Sequence, residues 1–183
     1  MATLVAYGVP PNKIKLFSAT HRDLHKTWQL DPKEFKGETR ANFERLFRRS
    51  LQQSFGSEVP DLAQADYLFV PDLRTISAAL ATRRYSRLVY YGHGLSDGVT
   101  LAPLHRIAAP QLAHALKNSG VQRFDILGCN SSAIGGLIAT LVPGMTVGTL
   151  RGRIFDDVEI DMRTMKLLDF TIVPQKIFPL GGK

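Results

Sequence analysis

The sequence predicts an α/β fold, a mostly parallel sheet flanked by helices in three layers. Three observations carry that reading. Short apolar runs alternate with helix-periodic segments of about ten to fifteen residues, the pattern of βαβ units. Glycine and proline punctuate the junctions between them. Two of the runs, Leu88-Val-Tyr-Tyr91 and Phe124-Asp-Ile-Leu-Gly128, are continuous enough to be buried on both faces, as parallel strands are.

Element by element, residues 2–9 form a first apolar strand, ended by Pro10-Pro11. Residues 14–19 suit a second strand or the return arm of a hairpin. From 39 to 55 the apolar residues Phe43, Leu46, Phe47, Leu51 and Phe55 repeat at helical spacing, the arginines lie mostly outside that stripe, and Gly56 stops the helix. Residues 65–70 read as a strand closed by Pro71, and 75–83 as a short helix with Ile76, Ala79 and Leu80 inward. The strand 87–91 follows. Pro110 suits the first turn of a helix running to Asn118, with Leu112, Ala113 and Leu116 buried and Gly120 beyond. The strand 123–128 leads into a small-residue helix at about 133–141. Pro143-Gly144 turns the chain into a strand at 145–150. After Arg151 comes an acidic stretch, 156–161, then a short strand at 171–173, and residues 174–183 read as a tail. With no convincing linker or repeat, residues 1–183 read as one domain.

Composition bounds the function. The chain has 183 residues, 44% hydrophobic and 21% charged, ordinary values for a globular protein. No apolar stretch approaches the roughly 18 residues that cross a bilayer, so no transmembrane segment is expected. The first eight residues lack a basic n-region and a small-residue cleavage site, so no signal peptide is expected. A single cysteine, Cys129, forms no internal disulfide and suits a reducing, cytoplasmic setting. A net charge of +7 favours polyanions such as nucleic acid or an inositol phosphate, although the basic residues are scattered.

The chemistry sits at two strand ends. One run closes in Gly92-His93-Gly94, and 36 residues after His93 the other closes in Cys129-Asn130-Ser131-Ser132. The C-terminal edge of a parallel sheet is where ligands bind. A thiol and an imidazole delivered there make a nucleophile and its base. A lone buried cysteine is more often a small hydrophobe, and a lone histidine more often a packed residue. Both at equivalent strand ends, one βα unit apart and flanked by small residues, favour a catalytic dyad. Cys129 then attacks a carbonyl, His93 protonates the leaving amine, and the backbone N–H groups of Gly94 and Cys129 face the oxyanion.

These residues carry a resemblance. The block 85–98, with Leu88-Val-Tyr-Tyr-Gly-His-Gly-Leu-Ser-Asp-Gly98, and the block 123–132, with Phe124-Asp-Ile-Leu-Gly-Cys-Asn-Ser-Ser132, resemble the His-Gly and strand-Cys blocks of the caspase-like (clan CD) cysteine peptidases. CHAT domains and the self-processing cysteine protease domains of bacterial toxins are the nearest in pattern. The stretch from Gly135 to Thr149 is similar to the helix–Gly–strand segment after the CHAT cysteine, and the likeness covers about a third of the chain. It implies a caspase-like three-layer sandwich and an endopeptidase with His93 and Cys129 as dyad, acting on a protein or peptide substrate without a cofactor. It also implies regulation by a ligand, a partner or self-cleavage, with an inositol phosphate or nucleic acid as the polyanionic activator. As a toxin or effector domain, the chain would act in a host cytosol. The residues around Cys129 differ from the Gln-Ala-Cys-Xaa-Gly signature of true caspases. Aspartate specificity of the caspase kind is therefore not implied. Asp156, Asp157 and Asp161 are candidate substrate-binding residues that would select a basic P1 side chain.

Other motifs fail. No histidine follows His114, which excludes the α/β-hydrolase order of nucleophile then base. His21 and His25 lack the intervening glutamate of a zinc protease helix, so no metal is expected, and no P-loop occurs. His105 and His114 read as surface residues. Two non-peptidase readings remain, a catalytically silent binding module and a polyanion-sensing domain.

Overall fold

The computed structural model describes residues 2–8, 15–16, 28–29, 38–69, 72–92, 107–129, 131–152, 156–161 and 166–180. In chain order the elements are β1 (Ala2–Gly8), β2 (Lys15–Leu16), β3 (Trp28–Gln29), α1 (Glu38–Phe55), a 3-10 turn (Pro60–Gln64), β4 (Asp66–Phe69), α2 (Leu73–Ala81), β5 (Tyr85–Gly92), α3 (Ala109–Lys117), β6 (Arg123–Leu127), α4 (Ser131–Leu141), β7 (Thr146–Leu150), β8 (Asp156–Asp161), β9 (Lys166–Ile172) and β10 (Ile177–Leu180). They belong to two compact units. One comprises Met1–Val9, Gln64–Ile154 and Lys176–Lys183, the other Pro10–Ala63 and Phe155–Gln175. Each unit is assembled from separated stretches, so no linker marks the division.

The first unit holds a six-stranded sheet in the order β10-β7-β6-β5-β1-β4. The pairs among β4, β1, β5, β6 and β7 are parallel, and β10 alone runs antiparallel to β7. The chain steps one way from β1 to β4 and the other way from β5 through β6 to β7. That reversal places a topological switch point between β1 and β5, whose final residues Gly8 and Gly92 are paired.

Alternation along the strands decides the two faces. Leu4, Ala6, Leu88, Tyr90, Phe124, Ile126 and Val147 join Ile76 and Leu80 of α2, Leu112 and Leu116 of α3, and Ile134 and Ile138 of α4 in one apolar cluster. The three helices thus cover one face. Alternate residues Val5, Tyr7, Val89, Tyr91 and Leu127 are buried as well. Burial on both faces is what a parallel sheet needs, and the architecture is compatible with a three-layer sandwich.

In the second unit the amphipathic α1 packs on the β8–β9 hairpin. Phe43, Leu46, Phe47, Leu51 and Phe55 are all buried. The rings of Phe43 and Phe47 lie 5.5 and 6.0 Å from that of Phe170 on β9. Ser50 and Ser54, one helical turn apart, address both backbone groups of Ile172. Ser50 Oγ accepts from its N–H at 2.6 Å and Ser54 Oγ donates to its carbonyl at 2.5 Å. Arg49 pairs with Asp169 on the same strand.

Several boundaries differ from the sequence reading. Helix α2 starts at Leu73 rather than Thr75 because the Asp72 carboxylate caps it, accepting from Thr75 N at 2.6 Å. Helix α4 begins at Ser131 rather than near Ala133. The acidic stretch 156–161 is a strand, and β9 is longer than the strand expected at 171–173. The supposed tail contains β10, in which Ile177 and Phe178 pair with Leu150 and Thr149 and supply an apolar edge to the sheet. Of the strand expected at 14–19, Lys15–Leu16 is described, paired antiparallel with Trp28–Gln29.

Candidate active site

Strands β5 and β6 are parallel neighbours in register, from Arg87 opposite Arg123 to Tyr91 opposite Leu127. Both therefore end at the same edge of the sheet. Tyr91 and Leu127 are buried there. Two residues beyond Leu127 stands Cys129, a free thiol in a turn, partly exposed to solvent. The chain passes from the end of β6 to the start of α4 within four residues, so the first-turn N–H groups of α4 lie at this edge. They favour negative charge developing beside them.

The turn is tied to β7 on both sides. Its entrance is the rung Ile126 opposite Thr149. Its exit is Ser131, which is 1% exposed. The hydroxyl of Ser131 accepts from Leu150 N at 3.0 Å and donates to Leu150 O at 3.3 Å. Where β6 leaves the sheet, a side-chain hydroxyl thus takes up the backbone groups of the next β7 residue. Close contact of α4 with the sheet requires Gly135. A Cβ there would lie 2.5 Å from Thr149 Cγ2 and 3.1 Å from Leu180 Cδ1.

Beneath the edge lies a buried ionic group. Asp125 is fully buried within β6 and accepts from Arg87 Nε at 2.6 Å and from Arg123 Nε at 3.0 Å. Gly148 on β7 leaves the space the carboxylate occupies, because a Cβ at 148 would overlap Asp125 Oδ1. At the switch point the rings of Tyr7 and Tyr91 stack at 5.9 Å, with Phe69 5.8 Å from Tyr7. Beyond β7 the guanidinium of Arg151 sits 4.1 Å over the ring of Phe178. Among the described residues no carboxylate pairs with Arg151.

The predicted site residues fall as follows. Cys129 is at the C-terminal sheet edge of the first unit. His93 and Gly94 lie outside the described residues, and β5 is described to Gly92, the residue before His93. Asp156, Asp157 and Asp161 are on β8 of the second unit, where the backbone is described and the side chains are not. His114 is exposed on α3, and His105 lies outside the described residues. Among the described residues no three His, Cys, Asp or Glu side chains group to hold a metal, and no helix is long and apolar enough to cross a membrane.

The sequence reading gave no separate role to Ser131 or Asp125. The signal for Asp125 was present, since a carboxylate inside a buried apolar run demands a cationic partner. For Ser131 nothing local distinguishes it from Ser132. Compared with family models, with curated proteins and with solved structures, the chain matches none.

Proposed function

We propose that this chain is a cysteine endopeptidase of caspase-like type, acting on protein or peptide substrates through a His93–Cys129 dyad. The observation that carries the reading is the pairing of β5 with β6. Their register is offset by 36 residues, as Arg87 opposite Arg123 illustrates, and 36 residues also separate His93 from Cys129. His93 is one peptide bond beyond Gly92, so both blocks leave one edge of one sheet on adjacent strands. That edge belongs to an open sheet with a reversal in strand order, the setting in which such folds bind ligands.

In this reading the Cys129 sulfur adds to the substrate carbonyl, and the N–H groups of Gly94 and Cys129 take the oxyanion. His93 receives the thiol proton and gives it to the departing amine, leaving a thioester. Water, deprotonated by His93, then cleaves the thioester and returns the thiol. A dyad of this kind needs neither metal nor cofactor. The cytoplasm, where a single free thiol persists, is the compartment the reading favours.

The test is a peptide-library cleavage assay with and without inositol phosphates or RNA, using Cys129→Ala and His93→Ala as comparisons. Each variant should abolish cleavage or self-processing while keeping the wild-type circular dichroism spectrum. Full activity in either variant would end the proposal. A wild-type protein that binds a peptide or polyanion and cleaves nothing would favour a silent binding module.

A further inference from the structure

We infer that Ser131 is a positioning residue that holds the Cys129 turn in its reactive geometry. The chemical purpose given to the turn rests on the peptidase reading above; the geometry of the tether does not. Strand β6 makes its last rung with Thr149, and the chain is next tied to β7 at the following residue, Leu150, through Ser131 Oγ. Cys129 therefore lies between two anchors, Ile126 and Ser131, that meet consecutive residues of one strand. A hydroxyl suits this duty because one group both donates and accepts, so it meets the N–H and the C=O of Leu150 together. Its burial keeps water from competing for either bond. On its other side Leu150 lies opposite Ile177 of β10. The tether thus connects the turn that carries Cys129 to a neighbouring strand of the sheet, the support a reactive side chain needs to stay within a fraction of an ångström of its working place.

The readout is the rate at which iodoacetamide alkylates Cys129 at neutral pH, followed by mass spectrometry, beside kcat and KM on any peptide the wild-type protein cleaves. Ser131→Ala should slow alkylation by roughly fivefold or more. It should lower kcat on the order of tenfold with KM nearly unchanged, since small displacements of a reacting group act mainly on the chemical step. Ser50→Ala is the matched comparison. It deletes an equally buried serine hydroxyl bonded to a strand N–H, that of Ile172 at 2.6 Å, in the other unit. It should lower the melting temperature and leave the alkylation rate within about twofold of wild type. Ser131→Thr retains the hydroxyl and should restore most of the rate, and it decides the matter if Ser131→Ala fails to fold.

The inference is overturned if folded Ser131→Ala alkylates at the wild-type rate or faster, if Ser50→Ala slows it equally, or if folded Ser131→Thr is as slow as the alanine variant. A wild-type protein that cleaves no peptide would overturn the proposed function alone, because the alkylation comparison does not depend on turnover.

Discussion

Replacing Gly148 by alanine should be among the most damaging single-methyl changes in the sheet. A Cβ at 148 would overlap Asp125 Oδ1 and lie 2.7 Å from Ile177 Cγ2. The carboxylate cannot swing aside freely. It is fully buried and held by Arg87 Nε at 2.6 Å and by Arg123 Nε at 3.0 and 3.1 Å. Overpacking alone costs about 1–3 kcal/mol, and disrupting a buried ion pair about 3–5 kcal/mol. Partial relaxation of both gives an expected loss of about 3 kcal/mol for Gly148→Ala. Asp125→Ala should lose about 3–5 kcal/mol, because it breaks a buried ion pair with Arg87, which is only 13% exposed. In the double variant the added methyl meets no carboxylate, so the combined loss should fall short of additivity by at least about 1 kcal/mol. Urea unfolding reads all three: at a slope near 2 kcal/mol per molar, Gly148→Ala moves the midpoint down by about 1.5 M. Losses that add to within about 0.5 kcal/mol, or a Gly148→Ala midpoint equal to wild type, would refute the crowding argument.

Two smaller effects follow from local geometry. Arg83, in the turn after α2, holds φ at +54° with an exposed side chain. Arg83→Gly should relieve more strain than it adds in unfolded-chain entropy, for a net gain of about 0.5–1 kcal/mol and a melting temperature higher by about 1–4 °C; a lower melting temperature would contradict this. At the base of the sheet, the Tyr85 hydroxyl donates to Asp66 Oδ2 at 2.8 Å and Arg84 pairs with the same oxygen. First the Tyr85 bond and then the Arg84 contact hold the Asp66 carboxyl below its usual 3.8. A lowered carboxylate stabilises the fold above its unfolded value and loses that contribution as the pH falls through its folded one. The stability advantage of wild type over Asp66→Asn should therefore be full near pH 5, shrink on acidification below about pH 4, and be reduced by salt, since the group is exposed. An advantage that grows on acidification would refute the assignment.

The alternation of apolar runs and helical stripes makes most of the fold legible in the sequence. The Phe43–Phe55 stripe is where periodicity placed it, and the strands expected at 87–91 and 123–128 from their apolar runs appear as Tyr85–Gly92 and Arg123–Leu127, since each buries a continuous apolar face. What could not be read was set by partners distant in sequence. Strand β10 forms because Ile177 and Phe178 find an open edge on β7, a fact that lies in the sheet rather than in Ile177-Phe-Pro-Leu180. The strand at 156–161 is acidic and reads as solvated chain until its hairpin partner is known. At the site, Cys129 announced itself by its place after an apolar run. Ser131 did not, because its importance arises from Leu150, nineteen residues away.

Strand β10 also has a protective consequence. The outer rim of the sheet would otherwise present a bare row of amides and carbonyls, an invitation to association between molecules. Pro179 interrupts that row, since it has no N–H to offer an incoming segment. The rim is closed by a strand that is itself a poor template for further pairing.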